Sequence, residues 1–376
     1  MNSESTPRIA VFTKQLDAWR SGSGHQLNEV ISRVLDLNEA RTQGRIDFTF
    51  LHYKPSENAV YRRVRELIVP RNPLKFALLL RREKFDLVHY TPLTIYSPIW
   101  MVPNKKTATI HGVEQLLLPE FFGPVEMFHE RFLVPIFARR MDGILTVSNS
   151  TKNYMVKHFR VKEERVTVAY NGIGPEYHPR SPESLSAPGR CGVRRPYIFH
   201  ISRFSERKNP WVLLDAFARF SVGKGKNHTL VCAGKGWEDN AEVLRRAQDL
   251  GIQEKLCCPG FISETDAAQF MSGADFFVFP TLAEGFGIPN VEAMAAGCPV
   301  ITTAAFAVPE VVGDAAIVLE DPRNSLALAA AMEKLSGNEE LRRDLIRRGL
   351  ERIRLFSWEE GAKKLLAMYD RILGLE

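Results

Sequence analysis

The chain has 376 residues, more than one hydrophobic core usually organises, so two domains are expected. Hydrophobic residues make up 45% and charged residues 25%, an ordinary balance for a soluble globular protein, and no apolar run approaches the roughly 20 residues of a membrane span. The five cysteines make no C-x-x-C pair or zinc spacing and the N-terminus carries no secretory pattern, so free thiols in a reducing cytoplasm are expected.

The first half alternates strand and helix. Short apolar runs, RIAVF, IDFTFLHY, FDLVHY, KTATIHG, DGILTVS and RVTVAY, read as buried parallel strands. Helical patterns separate them, among them HQLNEVISRVLDLN, VEMFHERFLVPIFARRM and STKNYMVKHF. Between Lys54 and Lys84 nine Lys or Arg face three Glu, an excess equal to the whole net charge of +6. One reading of that stretch is a solvated helix face whose other side is buried. The other is a basic patch facing an acidic acceptor, or making peripheral contact with an anionic membrane at its inner face. No nucleic-acid motif accompanies the patch, so nucleic acid is not an expected partner.

A Pro/Gly/Ser-rich stretch around residues 174–195 reads as a linker, after which the rhythm restarts. Strands PYIFHIS, HTLVCAG, KLCCPGF, DFFVFP, PVITT and AAIVL follow, again separated by helices, and two helical patterns end the chain. The fold class is therefore α/β, with two Rossmann-like doubly wound domains facing across a cleft. The expected division is 1–185 and 186–356. In such sheets ligands bind beyond the carboxyl ends of the strands, so loops that follow strands are where chemistry belongs.

Arg203 and Lys208 lie on the loop between strand PYIFHIS and a helix begun by Asn209 as N-cap and Pro210. Two cations there can grip a pyrophosphate, or be ordinary surface charges. Gly234 and Gly236 follow strand HTLVCAG, and Gly22, Ser23 and Gly24 form a loop that opens the first helix. Glycines there let a ligand approach the backbone, or simply make tight turns. His111 ends a strand, where a ligand contact and a satisfied core histidine are both open. In LAEGFGIPNVEAMAAGCPVI, Pro289 suits the first turn of a helix that Gly297 stops. The amides from Ile288 through Pro289 and Asn290 to Val291 then form an anion-binding helix start. Glu292 reads as an acid in that helix's first turn, favoured there by the dipole, and Glu284 as a loop acid. Neither explanation accounts for two acids, a Gly-Phe-Gly turn, a helix start and two basic loop residues converging on one edge.

Together these residues resemble glycosyltransferase family 4, the retaining, nucleotide-sugar-dependent family with the two-Rossmann glycosyltransferase B (GT-B) fold. EGFGIPNVEAMAAGCPVITT is similar to its E-x7-E signature, HISRFSERKNPWVLLDAF to its Arg-x4-Lys donor loop, VSNSTKNYMVKHF…VTVAYNGI to the end of its first domain, and LFSWEEGAKKLLAMYDRI to its final helix. The first 100 residues match only by pattern. The resemblance implies that Arg203 and Lys208 bind the donor diphosphate, aided by the amides near Ile288 to Val291. It implies that Glu292 takes the ribose hydroxyls, and that Glu284 and the amides of Gly285, Phe286 and Gly287 hold the donor sugar. Gly260 and Phe261 would lie by the base, His111 would approach the donor sugar, and Gly22 to Gly24 would border donor phosphate and acceptor. Helix 357–376 would pack back on the first domain. The acceptor would be a glycan or lipid-linked hydroxyl.

Fixed cations and helix amides stabilise charge developing on a departing diphosphate. No Asp-x-Asp pair occurs, so no metal or other cofactor is expected beyond the nucleotide sugar as co-substrate. The resemblance suggests front-face attack with retention, so Glu284 is assigned to positioning and electrostatics. Two departures fall on the acceptor side: SGSG replaces a clear Gly-Gly, and Gly112 follows the histidine where many relatives carry Asp. The alternatives are an epimerase or phosphorylase of the same fold, or a non-catalytic nucleotide-sugar-binding protein.

Overall fold

Short apolar runs, most of them buried along their length, build two wholly parallel sheets. The structure, a computed structural model, describes residues 6–18, 22–94 and 97–375. The first sheet contains β1 (Arg8–Phe12), β2 (Asp47–His52), β3 (Arg65–Ile68), β4 (Leu87–Tyr90), β5 (Lys105–Ile110), β6 (Gly143–Thr146) and β7 (Val166–Val168), in the order β3-β2-β1-β4-β5-β6-β7. In the second are β8 (Tyr197–Ile201), β9 (Thr229–Ala233), β10 (Leu256–Gly260), β11 (Phe276–Phe279), β12 (Val300–Thr303) and β13 (Ala316–Leu319), ordered β10-β9-β8-β11-β12-β13. In β1, Ile9 stands opposite both Phe48 and Leu87; in β8, Ile198 stands opposite both Leu230 and Phe276. Each sheet reverses its strand order beside its first strand, the doubly wound topology the sequence led us to expect.

The strand the sequence hid is β3. It is the edge strand, its side chains are largely exposed, and it therefore shows no apolar run. It lies inside the basic stretch, where Pro73–Glu83 is α-helical and Ala59–Arg63 a short 3-10 turn. That helix buries Phe76, Ala77 and Leu80 and leaves Leu74 and Leu78 exposed. Part of the basic charge is neutralised at home: Arg63 pairs with Asp36 and Glu39, and Arg65 with Glu83. The pattern VEMFHERFLVPIFARRM is also interrupted, by a π turn at His129–Leu133 between the helices Pro124–Phe128 and Val134–Ala138. Pro135 has no N–H to continue the α-helical ladder there, which favours the wider turn.

The chain divides into two units, Met1–Gly172 with Phe356–Glu376, and Ile173–Leu355. The expected division at 185/186 comes too late, because the segment read as a linker is bonded onto the second unit. The Arg180 amide donates to Ser272 Oγ (2.7 Å), and the Ser186 amide to Gln269 Oε1 (2.8 Å). The last helix, Trp358–Leu373, belongs to the first unit and packs on the helix Gly22–Glu39. The Trp358 ring lies 5.5 Å from His25, Tyr369 packs by Phe48 and His89, and Asp370 pairs with Arg41. This return explains a glycine: a Cβ on Gly172 would lie 2.1 Å from the Trp358 nitrogen, so any side chain would push the helix start away.

Candidate functional site

In the second unit the strand order reverses between β8 and β11, which opens a crevice between the loops that follow them. The loop after β8 runs from Ser202 to Asn209, and its course is fixed from below. The Ser202 amide donates to the Ala233 carbonyl (3.0 Å), and Trp237 Nε1 donates to the Ser202 carbonyl (2.9 Å). A Cβ on Gly234 would lie 2.1 Å from that same carbonyl oxygen, so Gly234 serves close backbone packing. Its amide donates to the Gly260 carbonyl (2.7 Å), and the Gly236 amide donates to Glu238 (3.0 Å). Gly260 ends β10, and Phe261 beside it is 57% exposed.

The loop after β11 is stitched to the first loop through Arg207. The Leu282 amide donates to the Arg207 carbonyl (2.9 Å), and Thr281 Oγ1 lies 3.2 Å from the same carbonyl. The Arg207 guanidinium donates to the Ala283 carbonyl (2.6 Å) and to Glu284 Oε1 (2.7 Å). Lys208 Nζ (2.5 Å) and Thr281 Oγ1 (2.8 Å) donate to the same oxygen. Burial pushes the Glu284 carboxyl up, but Lys208 and Arg207 outweigh it and hold the group below the usual carboxylate range. Glu284 is thus an anion at neutral pH, although only 8% exposed. Lys208 also sits 4.8 Å from the Phe279 ring centroid.

Several expected positions take a different shape. The two cations on Glu284 are Arg207 and Lys208; Arg203 is exposed on the same loop. Asn209 precedes the helix Pro210–Ser221 in a left-handed conformation, and its amide donates to the carbonyls of Pro280 and Pro322, so it does not act as a side-chain N-cap. Gly285, Phe286 and Gly287 are buried and lead into the helix Ile288–Ala295. Its start offers fewer amides than expected: Pro289 has no N–H, and the Asn290 amide already donates to Gly287 (3.0 Å). The Asn290 side chain is wholly buried, and neither amide atom has a partner among the described residues. Glu292 is the fifth residue of this helix and lies past its first turn, where the dipole has faded. Its carboxylate instead faces the Tyr177 hydroxyl, from the segment just after the domain junction, closely enough for its charge to act on the phenol. Burial, followed by the charge of Glu292, raises the Tyr177 phenol well above its ordinary value, so it stays a donor.

The first unit carries the remaining residues. His111 follows β5, and its Nε2 is buried without a hydrogen-bond partner among the described residues. Burial lowers its pKa to about 4, so the ring is neutral at physiological pH. A Cβ on Gly112 would lie 2.3 Å from the Glu114 carboxylate, so that carboxylate occupies the space a side chain there would need. Gly22, Ser23 and Gly24 form the first turn of the helix Gly22–Glu39, whereas a loop was expected, and residues 19–21 before them lie outside the described residues.

Sequence reasoning missed Arg207, Thr281 and Tyr177. Arg207 was within the motif considered, but nothing in the order Arg-Lys tells which side chain reaches an acid 77 positions later. Tyr177 fell in the presumed linker.

Comparison with known proteins bears on family and fold. Residues 187–352 match a family model described as glycosyl transferases group 1, and residues 29–177 match one described as glycosyltransferase family 4. The chain is 27% identical over 299 residues to the O-antigen chain mannosyltransferase B of Escherichia coli, covering 77% of each protein. It is 28% identical over 313 residues to an MMP alpha-(1->4)-mannosyltransferase of Mycolicibacterium hassiacum, covering 78% of this chain and 72% of that one. Among solved structures, an Anabaena protein in complex with UDP and glucose shares the fold with a TM-score of 0.77 at 17% identity, over 97% of this chain and 100% of that one.

Proposed function

Since the chain belongs to glycosyltransferase family 4 and has the GT-B fold, we propose that it moves a sugar, mannose in the first instance, from a nucleotide-sugar donor to a glycan or lipid-linked hydroxyl, with retention of configuration and without a metal ion. One observation carries the reading. At the crevice where the second sheet reverses, a buried carboxylate is held ionised by two cations, and the chain runs from it directly into a helix start.

Glu284 lies where a sugar's hydroxyls or its oxocarbenium-like carbon would profit from a fixed negative charge. Arg203 and Lys208 take the charge that grows on the leaving diphosphate, assisted by the dipole of the helix Ile288–Ala295. Glu292, oriented by Tyr177, takes the ribose hydroxyls. The departing phosphate accepts the proton of the attacking hydroxyl, so no protein nucleophile is required. His111 serves as a neutral hydrogen-bonding group for the donor sugar. The five unpaired thiols support a cytoplasmic setting.

A panel of UDP, GDP, ADP, TDP and their common sugar conjugates tests this by thermal shift, on the wild type and on Glu292→Ala. One nucleotide is expected to raise the melting temperature of the wild type, and the variant is expected to lose the effect. No shift at millimolar concentration would remove the donor-site reading.

We also propose a peripheral contact with an anionic membrane surface. Among the described residues no helix is long and apolar enough to cross a membrane. Exposed Leu74 and Leu78 alternate with Lys75, Arg81 and Arg82, and Arg81 Nε donates to Met101 (2.7 Å), whose side chain is also exposed, as is that of Trp100. Sedimentation with vesicles containing phosphatidylserine at low salt should carry the protein down, and neutral vesicles should not.

A further inference from the structure

Three donors converge on a single oxygen of Glu284, and only one of the two cations among their owners has no other proposed duty. Lys208 is assigned to the diphosphate, so it must leave Glu284, at least in part, when the donor arrives. Thr281 is neutral. Arg207 alone can keep the carboxylate charged and fixed once Lys208 has turned to phosphate. Its geometry suits that task. One guanidinium nitrogen spans the Glu284 carboxylate and the Ala283 carbonyl next to it, while the Arg207 carbonyl takes the Leu282 amide beside the Thr281 hydroxyl. Side chain and backbone of one residue therefore fix both ends of the segment 281–284. All three bonds to the carboxylate reach Oε1, and Oε2 accepts none of them.

We infer that Arg207 is a positioning residue of the donor-sugar site, one that anchors Glu284 by Oε1 so that Oε2 is presented to a sugar hydroxyl while Lys208 is released to the diphosphate. The inference rests on the donor-site reading above. It makes a two-cation arrangement intelligible: one cation is exchangeable, and the other is not. The consequence is a division of labour between neighbouring residues. Lys208 should govern binding of any nucleoside diphosphate, and Arg207 only the added affinity and turnover that the sugar brings.

The test is titration calorimetry of the wild type, Arg207→Gln and Arg207→Lys with UDP, GDP, UDP-glucose and GDP-mannose, with turnover of the same conjugates. Arg207→Gln should bind the free diphosphate within about twofold of the wild type. It should lose about 10–100-fold in kcat/KM for the conjugate, the usual reach of one charge-assisted contact. Arg207→Lys should recover part of that loss, because it restores the charge but not the bridge to Ala283. A purely structural role would lower the diphosphate and the conjugate alike, and that result overturns the inference, as does an unchanged conjugate. Should Arg207→Gln fail to fold, the Lys variant must show the same selective loss in milder form. If the wild type binds none of the four compounds, the donor-site reading falls and takes this inference with it; if it binds one and Arg207→Gln shows no selectivity, only this inference falls.

Discussion

The two domains treat their candidate site residues in opposite ways. In the second, every atom of Glu284 Oε1 bonding is built in: Arg207, Lys208 and Thr281 already hold it. In the first, His111 has a buried nitrogen with no partner among the described residues, and Gly22 to Gly24 make the first turn of a helix. A site that recognises a sugar diphosphate can be fixed in advance, since preorganised charges need no rearrangement as the reaction proceeds. The chain spends its buried charge in the second domain accordingly.

The largest effect should come from breaking that fixed arrangement. Glu284→Ala should lower kcat about 10²–10³-fold, the range seen when one preorganised electrostatic group is removed. It should also cost about 1–3 kcal/mol in stability, because Arg207 and Lys208 lose their shared acceptor. Turnover and chemical denaturation measure the two separately. Full activity with unchanged stability would mean that the second domain is no more preorganised than the first.

Acid should separate the domains next. Burial lowers His111 to about 4 and His89 to about 3 in the first domain, with the charge of His111 adding to the effect on His89; in the second, burial lowers His200 to about 4. Each value lies below the ordinary 6.5, so the unfolded chain binds more protons between pH 6.5 and about 4. Stability is therefore complete above pH 6.5 and falls on acidification, by at most about 1.4 kcal/mol per pH unit for each group. Glu284 runs the same way from a lower start: its depressed carboxyl contributes above its ordinary 4.5 and is lost only as pH falls further. Hydrogen exchange at pH 5 should thus show β4 and β5 losing protection before β8 and β11. The reverse order would contradict the burial of both first-domain histidines.

A smaller effect tests a residue that the sequence did not reveal. Tyr177→Phe removes one hydroxyl from Glu292 and should weaken nucleotide binding about three- to tenfold, near 1 kcal/mol. The penalty should shrink with a 2′-deoxy nucleotide, which has less to offer Glu292. An equal penalty on both ligands would make Tyr177 a packing residue only.

What was legible follows from range. Twelve strands declared themselves because buried apolar runs are local signals, and β3 did not because an exposed edge strand has none. Glu284 and Lys208 were visible through their spacing within their own loops. Arg207 was not, because its meaning lies in a contact 77 positions away. The same holds for Tyr177 and Glu292, and for Asn209, whose expected capping bond is replaced by carbonyls of two distant prolines. Local chemistry predicts which residues can serve a site; only the sheet order decides which of them meet.

The least perturbing test returns to the first domain. Ser23→Ala alters one side chain in the opening turn of Gly22–Glu39 and leaves the bonds around Glu284 untouched. Nucleotide affinity should stay within about twofold of the wild type, the range of substitutions remote from a bonded network. Any change should appear in the KM for the acceptor. A loss of nucleotide affinity well beyond twofold would put the glycine turn on the donor side, and the contrast between a fixed second domain and an open first would then have to be redrawn around the diphosphate.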